Sequence, residues 1–289
     1  MKRIFALLTA ILICIAATGC TQVTSGNFVI ATTLPVYEIT SALCTGTDIG
    51  VHRLITENVS CLHDYTLQVN QMQLLEKSTA VVISGAGFED FLHDAIPAKK
   101  PIIDASASIA CITGENHDGH EHSHMHDPHI WLDPKNAIAM SNNILNGLID
   151  LFPKHAEVFH KNYAAWISKL EELSAFAQDQ LKNLKSNNII TFHDGFAYLA
   201  QAYGLEVVHS MEEEAGSEAS AAELIEVIRL IENLDIPAVF TERNGSDSAA
   251  KIIAAETGVK IFQLDMAISG NSYIEAMYQN IQTLKEALE

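Results

Sequence analysis

Four positions far apart in the chain carry side chains that bind late transition metals: His63 in SCLHDY, His129 in DPHIWLDP, His193 in ITFHDGF and Asp265 in FQLDM. Neutral imidazole is the commonest protein ligand for zinc and its neighbours, and three imidazoles with one carboxylate complete a tetrahedral set. Harder manganese draws more carboxylate oxygen, so Zn2+ is the expected ligand and Mn2+ the alternative. A catalytic zinc keeps one position open for water, whereas this set fills all four. No nucleophile motif or phosphate loop accompanies it. Glu242 in FTER stands at another predicted strand end and is the substitute or supporting carboxylate.

Six of the thirteen histidines lie between residues 117 and 129. His117, His120, His122, His124 and His126 alternate with Gly, Asp, Ser and Glu, a composition that buries no core and predicts a loop without order of its own. Such a tract captures metal loosely, as an auxiliary to a fixed site. His52, His93, His155, His160 and His209 lack comparable context, and the acidic run Glu212 to Glu214 reads as a solvated loop.

The elements that must position these residues follow from the apolar pattern. FVIATT (28–33), VHRLI (51–55), AVVIS (80–84) and PIIDA (101–105) read as buried strands separated by helical stretches. The pattern recurs as NIITF (188–192), LEVVHS (205–210), PAVFTE (237–242) and VKIFQL (259–264). Strand then helix, repeated, predicts α/β architecture: two similar lobes, each with a four-stranded mainly parallel sheet flanked by helices. Pro134 opens a helix to about Leu151 and Pro153 breaks it. From about 154 to 186 apolar and aromatic residues recur at helical spacing without Pro or Gly, which predicts one long rigid connecting helix of about 45 Å; two helices with a turn are the alternative. The predicted division is a lobe over 28–153, with the His-rich loop at 115–128, the connecting helix over 154–186 and a second lobe over 187–289. Ligands of open parallel sheets sit beyond the carboxyl ends of the strands. His63, His129, His193 and Asp265 all fall on that edge, two from each lobe, facing a shared cleft.

Acidic residues outnumber basic ones 36 to 17, a surface that repels nucleic acid and anionic lipid and favours the approach of cations. Residues 1–19 have a basic start (Lys2, Arg3), an apolar run from Ile4 to Ala17 and a small-residue end, which reads as an export signal. They resemble a bacterial lipoprotein signal, in which Cys20 becomes the lipidated first residue and 20–27 a flexible tether to the membrane, although Ala17 stands where Leu is more usual. Beyond Cys14 and Cys20 three cysteines remain, an odd number for an oxidising compartment. A disulfide between Cys61 and Cys111, both beyond strand ends, with Cys44 a buried thiol, is the expected arrangement. The rival makes Cys61 a thiolate ligand.

At LHDYTLQVNQMQLL, SGAGFEDFL, DPHIWLDPKNA, FHDGFAYLAQAYGLE, IPAVFTE and TGVKIFQLD the chain resembles the metal substrate-binding lipoproteins of bacterial ABC importers, over about residues 28–289. The resemblance implies that His63, His129, His193 and Asp265 are the metal ligands. It also implies a monomer that hands Zn2+ to a membrane permease driven by a cytoplasmic ATPase, and that is not an enzyme. The His-rich insertion is similar to that of the zinc-specific branch. Two departures stand out: MEEEAGSEASAAEL replaces a frequent Glu-Pro-Ser stretch, and Met266-Ala267 replaces the frequent Pro-Leu after the acidic ligand. Alternatives are a Mn2+ or Fe2+ carrier, for which Glu at position 193 would be favoured, and a secreted zinc metallohydrolase, which needs an open coordination position. An adhesin is the third, suggested by the anchor alone.

Overall fold

A computed structural model describes residues 27–59, 62, 65–113, 126–211 and 219–289. The first sheet holds β1 (Phe28–Ala31), β2 (Gly50–Arg53), β3 (Ala80–Ile83) and β4 (Ile102–Asp104) in the order β2-β1-β3-β4, all parallel. The second holds β5 (Asn188–Thr191), β6 (Glu206–Ser210), β7 (Ala238–Glu242) and β8 (Lys260–Leu264) in the equivalent order β6-β5-β7-β8, again parallel. The strands most central in each sheet are the most apolar: Val29, Ile30, Val81, Val82, Ile189, Ile190, Val239 and Phe240 have no exposed surface. Both faces of a parallel sheet must be covered, and β-branched residues suit that burial.

Each predicted strand is present and several are a residue or two shorter. In the apolar run at 28–33 the strand ends at Ala31, Thr32 N still donates to Val82 O at 3.0 Å, and Thr33 becomes the residue preceding α1 (Leu34–Cys44), its hydroxyl 2.9 Å from Ser84 Oγ. After α2 (Val69–Lys77) the first lobe is completed by α3 (Pro134–Leu151). Asp133 caps α3 by accepting from Lys135 N at 2.8 Å, and Pro134 pre-sets its first turn.

The connection between the lobes is one helix, α4 (Ala156–Gln180), 25 residues and about 37 Å long. It is shorter than the apolar periodicity suggested, because Pro153–His155 form a separate 3-10 turn and the helix closes at Leu181, before the polar stretch around Asn183, Ser186 and Asn187. Phe159, Trp166, Leu170, Leu173 and Ala177 form its buried stripe. Near its start Asn162 Nδ2 donates to Leu43 O and Thr45 O, both at 2.8 Å, and Trp166 Nε1 donates to Ser141 Oγ at 2.9 Å. Near its end Gln180 Oε1 accepts from Lys285 Nζ at 2.9 Å. The helix is thereby fastened to the first lobe and to the final helix of the second.

The second lobe adds α5 (Ala197–Tyr203), α6 (Ala221–Leu234), α7 (Ser248–Thr257) and α8 (Tyr273–Leu288). Helices α6 and α7 cover one face of its sheet through Val227, Ile231, Ala249 and Ile253. The other face joins a core that runs through α4 into the first lobe, including Leu264, Met266, Tyr273 and Ile281. Among the described residues no helix is long and apolar enough to cross a membrane.

Candidate functional site

The loops at the carboxyl ends of the two sheets meet. Trp131 Nε1 of the first lobe donates to Met266 O of the second at 2.7 Å, and Tyr273 OH donates back to Trp131 O at 2.6 Å. Leu34 N donates to Ile268 O at 3.2 Å and Arg53 Nη1 to Gly270 O at 2.7 Å. Trp131 and Tyr273 are both fully buried, so their polar groups cannot turn to water and the geometry is strongly fixed.

His129 precedes a buried 3-10 turn, Ile130–Leu132, and is itself only 2% exposed. Its ring lies among Phe88, Trp131 and His193, with centroids 5.5, 5.3 and 5.4 Å away. Asp127 Oδ1 accepts from His129 N at 2.9 Å and stands 2.8 Å from His129 Nδ1. With Nδ1–H committed to that carboxylate, the lone pair is carried by Nε2, the usual way a ligating imidazole is oriented.

His193 follows β5. Phe192 N donates to Phe240 O at 2.9 Å, and Thr191 Oγ lies 3.2 Å from Ser210 Oγ, so the strand end that presents the ring is held on both sides. His193 meets His129 with ring planes at 82°. The approach needs Gly195: a Cβ there would stand 2.5 Å from Met266 Cε, 2.9 Å from His193 Cδ2 and 3.0 Å from His129 Cε1.

Two carboxylates stand nearby with different surroundings. Glu242 ends β7, whose five residues are all buried, and its Oε2 is 3.8 Å from His193 Nδ1. Its Oε1 is buried and has no hydrogen-bond partner among the described residues. Burial first, and the neighbouring charge of Asp265 second, push its carboxyl up to about 9. Asp265 directly follows β8; Asn280 grips its backbone, accepting from Asp265 N at 2.8 Å and donating to Asp265 O at 2.7 Å. Asp265 Oδ1 accepts from Ala267 N at 2.8 Å and Oδ2 from Arg243 Nη1 at 2.9 Å.

The structure therefore brings His129, His193 and Glu242 together and places Asp265 beside them in an ion pair. Among the described residues no group of three or more His, Cys, Asp or Glu side chains encloses a cation position. His63, Cys61, Cys20, His117, His120, His122 and His124 lie outside the described residues, as do Glu212 to Glu214. His126 is exposed and bridges Thr113 at the stem of the loop. Cys44 is a buried thiol, pushed up to about 12 by burial, and Cys111 is a partly buried free thiol, with Ile109 O 3.7 Å from its sulfur.

Sequence reasoning missed four residues. Asp127 could have been found as an acid two positions before a ligand candidate, and Gly195 as a glycine two positions after one. Arg243 sits next to Glu242 but acts on Asp265, which only strand register reveals. Tyr198 on α5 ties the stem of the loop to the second lobe: its hydroxyl accepts from Ile112 N and donates to Asp127 O, both at 2.9 Å, and Asp127 N donates to Ile112 O at 2.9 Å.

The imidazole pair and the buried carboxyl lie among aromatic side chains where the two lobes meet, and known proteins share the frame around them. The chain is 29% identical to the zinc-binding lipoprotein AdcA of Streptococcus pneumoniae strain R6 over 310 aligned residues, which cover 100% of this chain and 62% of that protein. It thus spans less than two thirds of that relative. The crystal structure of ZnuA superposes with a TM-score of 0.80 at 27% identity, covering 91% of this chain and 99% of that one. The Zn(II)-bound ZnuA-like domain of Streptococcus pneumoniae AdcA superposes with a TM-score of 0.76 at 28% identity, covering 90% and 98%. The profile of ZnuA, described as zinc-uptake complex component A, periplasmic, matches residues 29–287, and the chain belongs to that family.

Proposed function

We propose that this chain is the extracytoplasmic zinc-binding component of an ABC importer. It captures Zn2+ between its lobes and delivers it to a membrane permease driven by an ATPase on other chains. The ion is cargo: no bond of a substrate is made or broken. The observation that carries the reading is the contact of two imidazoles from opposite lobes, His129 and His193, with a buried carboxyl next to them at the carboxyl ends of two parallel sheets. The names of the relatives, zinc-binding AdcA and ZnuA, support the choice of ion.

In this reading His63, His129 and His193 supply three nitrogens and Asp265 the fourth donor, with Glu242 its support or substitute. Asp127 holds His129 with Nε2 toward the cleft, and Trp131, Phe88 and Met266 keep water from the site. Capture requires neutral imidazole and ionised carboxylate, so binding releases protons. His117, His120, His122, His124 and His126 collect metal at the rim, and lipidated Cys20 tethers the protein to the membrane.

The test is zinc stoichiometry and affinity of the chain from residue 21, of a version lacking residues 117–126, and of the double variant His63→Ala/His193→Ala. One tight zinc that survives loop deletion and vanishes in the double variant supports the proposal. Tight binding that leaves with the loop and ignores the double variant contradicts it.

A further inference from the structure

Strands β7 and β8 are parallel, with Glu242 opposite Leu264, so Arg243 and Asp265 are the next positions on neighbouring strands. The register continues one step further, because Arg243 N donates to Leu264 O at 2.8 Å. Alternation along β7 turns the Glu242 side chain inward, 6% exposed, and sends that of Arg243 the other way, 56% exposed. From there its Nη1 reaches Asp265 Oδ2 at 2.9 Å and Gln279 Oε1 at 3.5 Å. Since Ala267 N holds Oδ1, both oxygens of Asp265 are engaged by protein donors. One donor is a permanent cation.

We propose that Arg243 is a specificity-determining residue of the metal site, competing with the cation for Asp265. This rests on the proposed capture of a divalent cation in the cleft. A metal that takes Asp265 displaces a charge-assisted hydrogen bond and brings a second positive charge beside the guanidinium. The penalty is unequal between ions. Zinc draws much of its binding from imidazole nitrogen and keeps those donors whatever Asp265 does, whereas manganese depends more on carboxylate oxygen. Arg243 therefore biases a mixed nitrogen and oxygen site toward zinc without touching the metal. It also supplies the partner to which Asp265 returns when the ion leaves, which favours release.

The experiment compares Zn2+ and Mn2+ dissociation constants of the full mature chain and of Arg243→Gln, Arg243→Lys, Asp265→Asn and Arg243→Gln/Asp265→Asn. Arg243→Gln is expected to tighten Mn2+ by about two- to fivefold, as for loss of a partly exposed ion pair, and Zn2+ by less. Arg243→Lys should retain most of the wild-type selectivity. The gain should disappear in the Asp265→Asn background. An unchanged or weakened Mn2+ affinity in Arg243→Gln overturns the proposal, as does a gain that persists without the Asp265 carboxylate. A wild-type chain whose metal binding ignores His193→Ala sinks the proposed capture itself, a result distinct from either of these.

Discussion

His129 and His193 come from different lobes and stand with ring centroids 5.4 Å apart and planes at 82°. Neither lobe could create this pair alone. His129 is set by a 3-10 turn after the His-rich loop and His193 by the end of a central strand, so the site exists only where the two sheets face each other. Proton and cation compete for the same imidazole lone pairs, so zinc affinity is expected to fall as pH drops. Competition titrations between pH 5 and 8 measure this, and tight binding retained at pH 5 would count against a site built on three histidines.

Asp127 fixes the orientation of His129 through Nδ1 at 2.8 Å. Asp127→Ala is expected to weaken zinc by about 10- to 100-fold, the usual cost of removing the partner of a ligating imidazole. Titration against a chelator of known affinity reads the change, and an affinity within twofold of wild type would show that the pair does not orient the ring.

Gly195 has no room for a methyl group. Gly195→Ala would place Cβ within 3.0 Å of both imidazoles and closer still to Met266. Overpacking of this kind costs on the order of 1–3 kcal/mol, and here the strain falls on the ligand pair. The expected result is a lower melting temperature together with zinc affinity reduced at least tenfold. A loss of stability with intact affinity would mean that the backbone yields and the rings do not.

The interlobe bond from Tyr273 OH to Trp131 O joins two residues with no exposed surface. Tyr273→Phe leaves a buried carbonyl without its donor and should cost about 1–3 kcal/mol in unfolding free energy. Denaturant titration tests it, and no change in midpoint would place a water in the role of the hydroxyl.

Glu89 is buried and accepts from Thr32 Oγ, Ser84 N and Gly85 N at 2.6, 2.7 and 2.9 Å. Burial outweighs these three donors and holds its carboxyl above the ordinary range. The folded chain therefore retains this proton where the unfolded chain has lost it, so stability falls as pH rises from the ordinary carboxylate range through the folded value. Glu89→Gln cannot ionise and lacks that slope. It starts less stable, because its amide faces a backbone N–H, and the deficit should narrow with rising pH in thermal unfolding from pH 4 to 8. A constant difference would show that folding does not shift the Glu89 carboxyl from its unfolded value.

The fold was largely legible in the sequence. Buried strands announce themselves as short β-branched runs, and Asp133-Pro134 marks a helix start in chemistry as well as in pattern. The ends of α4 were not legible, because apolar spacing continues to Leu181 while hydrogen bonding and the turn at Pro153 decide where the helix closes. Within the site, strand ends pointed to His193, Glu242 and Asp265. Gly195 is visible in FHDGF as a glycine two positions after a ligand candidate, but the reason it must be glycine is not, since the obstructing atoms belong partly to the other lobe. Nor could the Arg243 to Asp265 pair, which depends on register between strands that a shift of one residue would undo. Tyr198 is an ordinary helix residue in sequence and becomes a clamp on Ile112 and Asp127 only after the lobes pack.

The central claim is a zinc ion held by imidazoles from both lobes, and X-ray absorption at the zinc edge of the chain lacking residues 117–126 tests it most directly. One zinc with three imidazole nitrogens and one carboxylate oxygen, at about 2.0–2.2 Å, is the expected result, with imidazole scattering reduced in His193→Ala. A sulfur neighbour at about 2.3 Å would install Cys61 as a ligand. That result, or a spectrum unaffected by His193→Ala, would contradict the account.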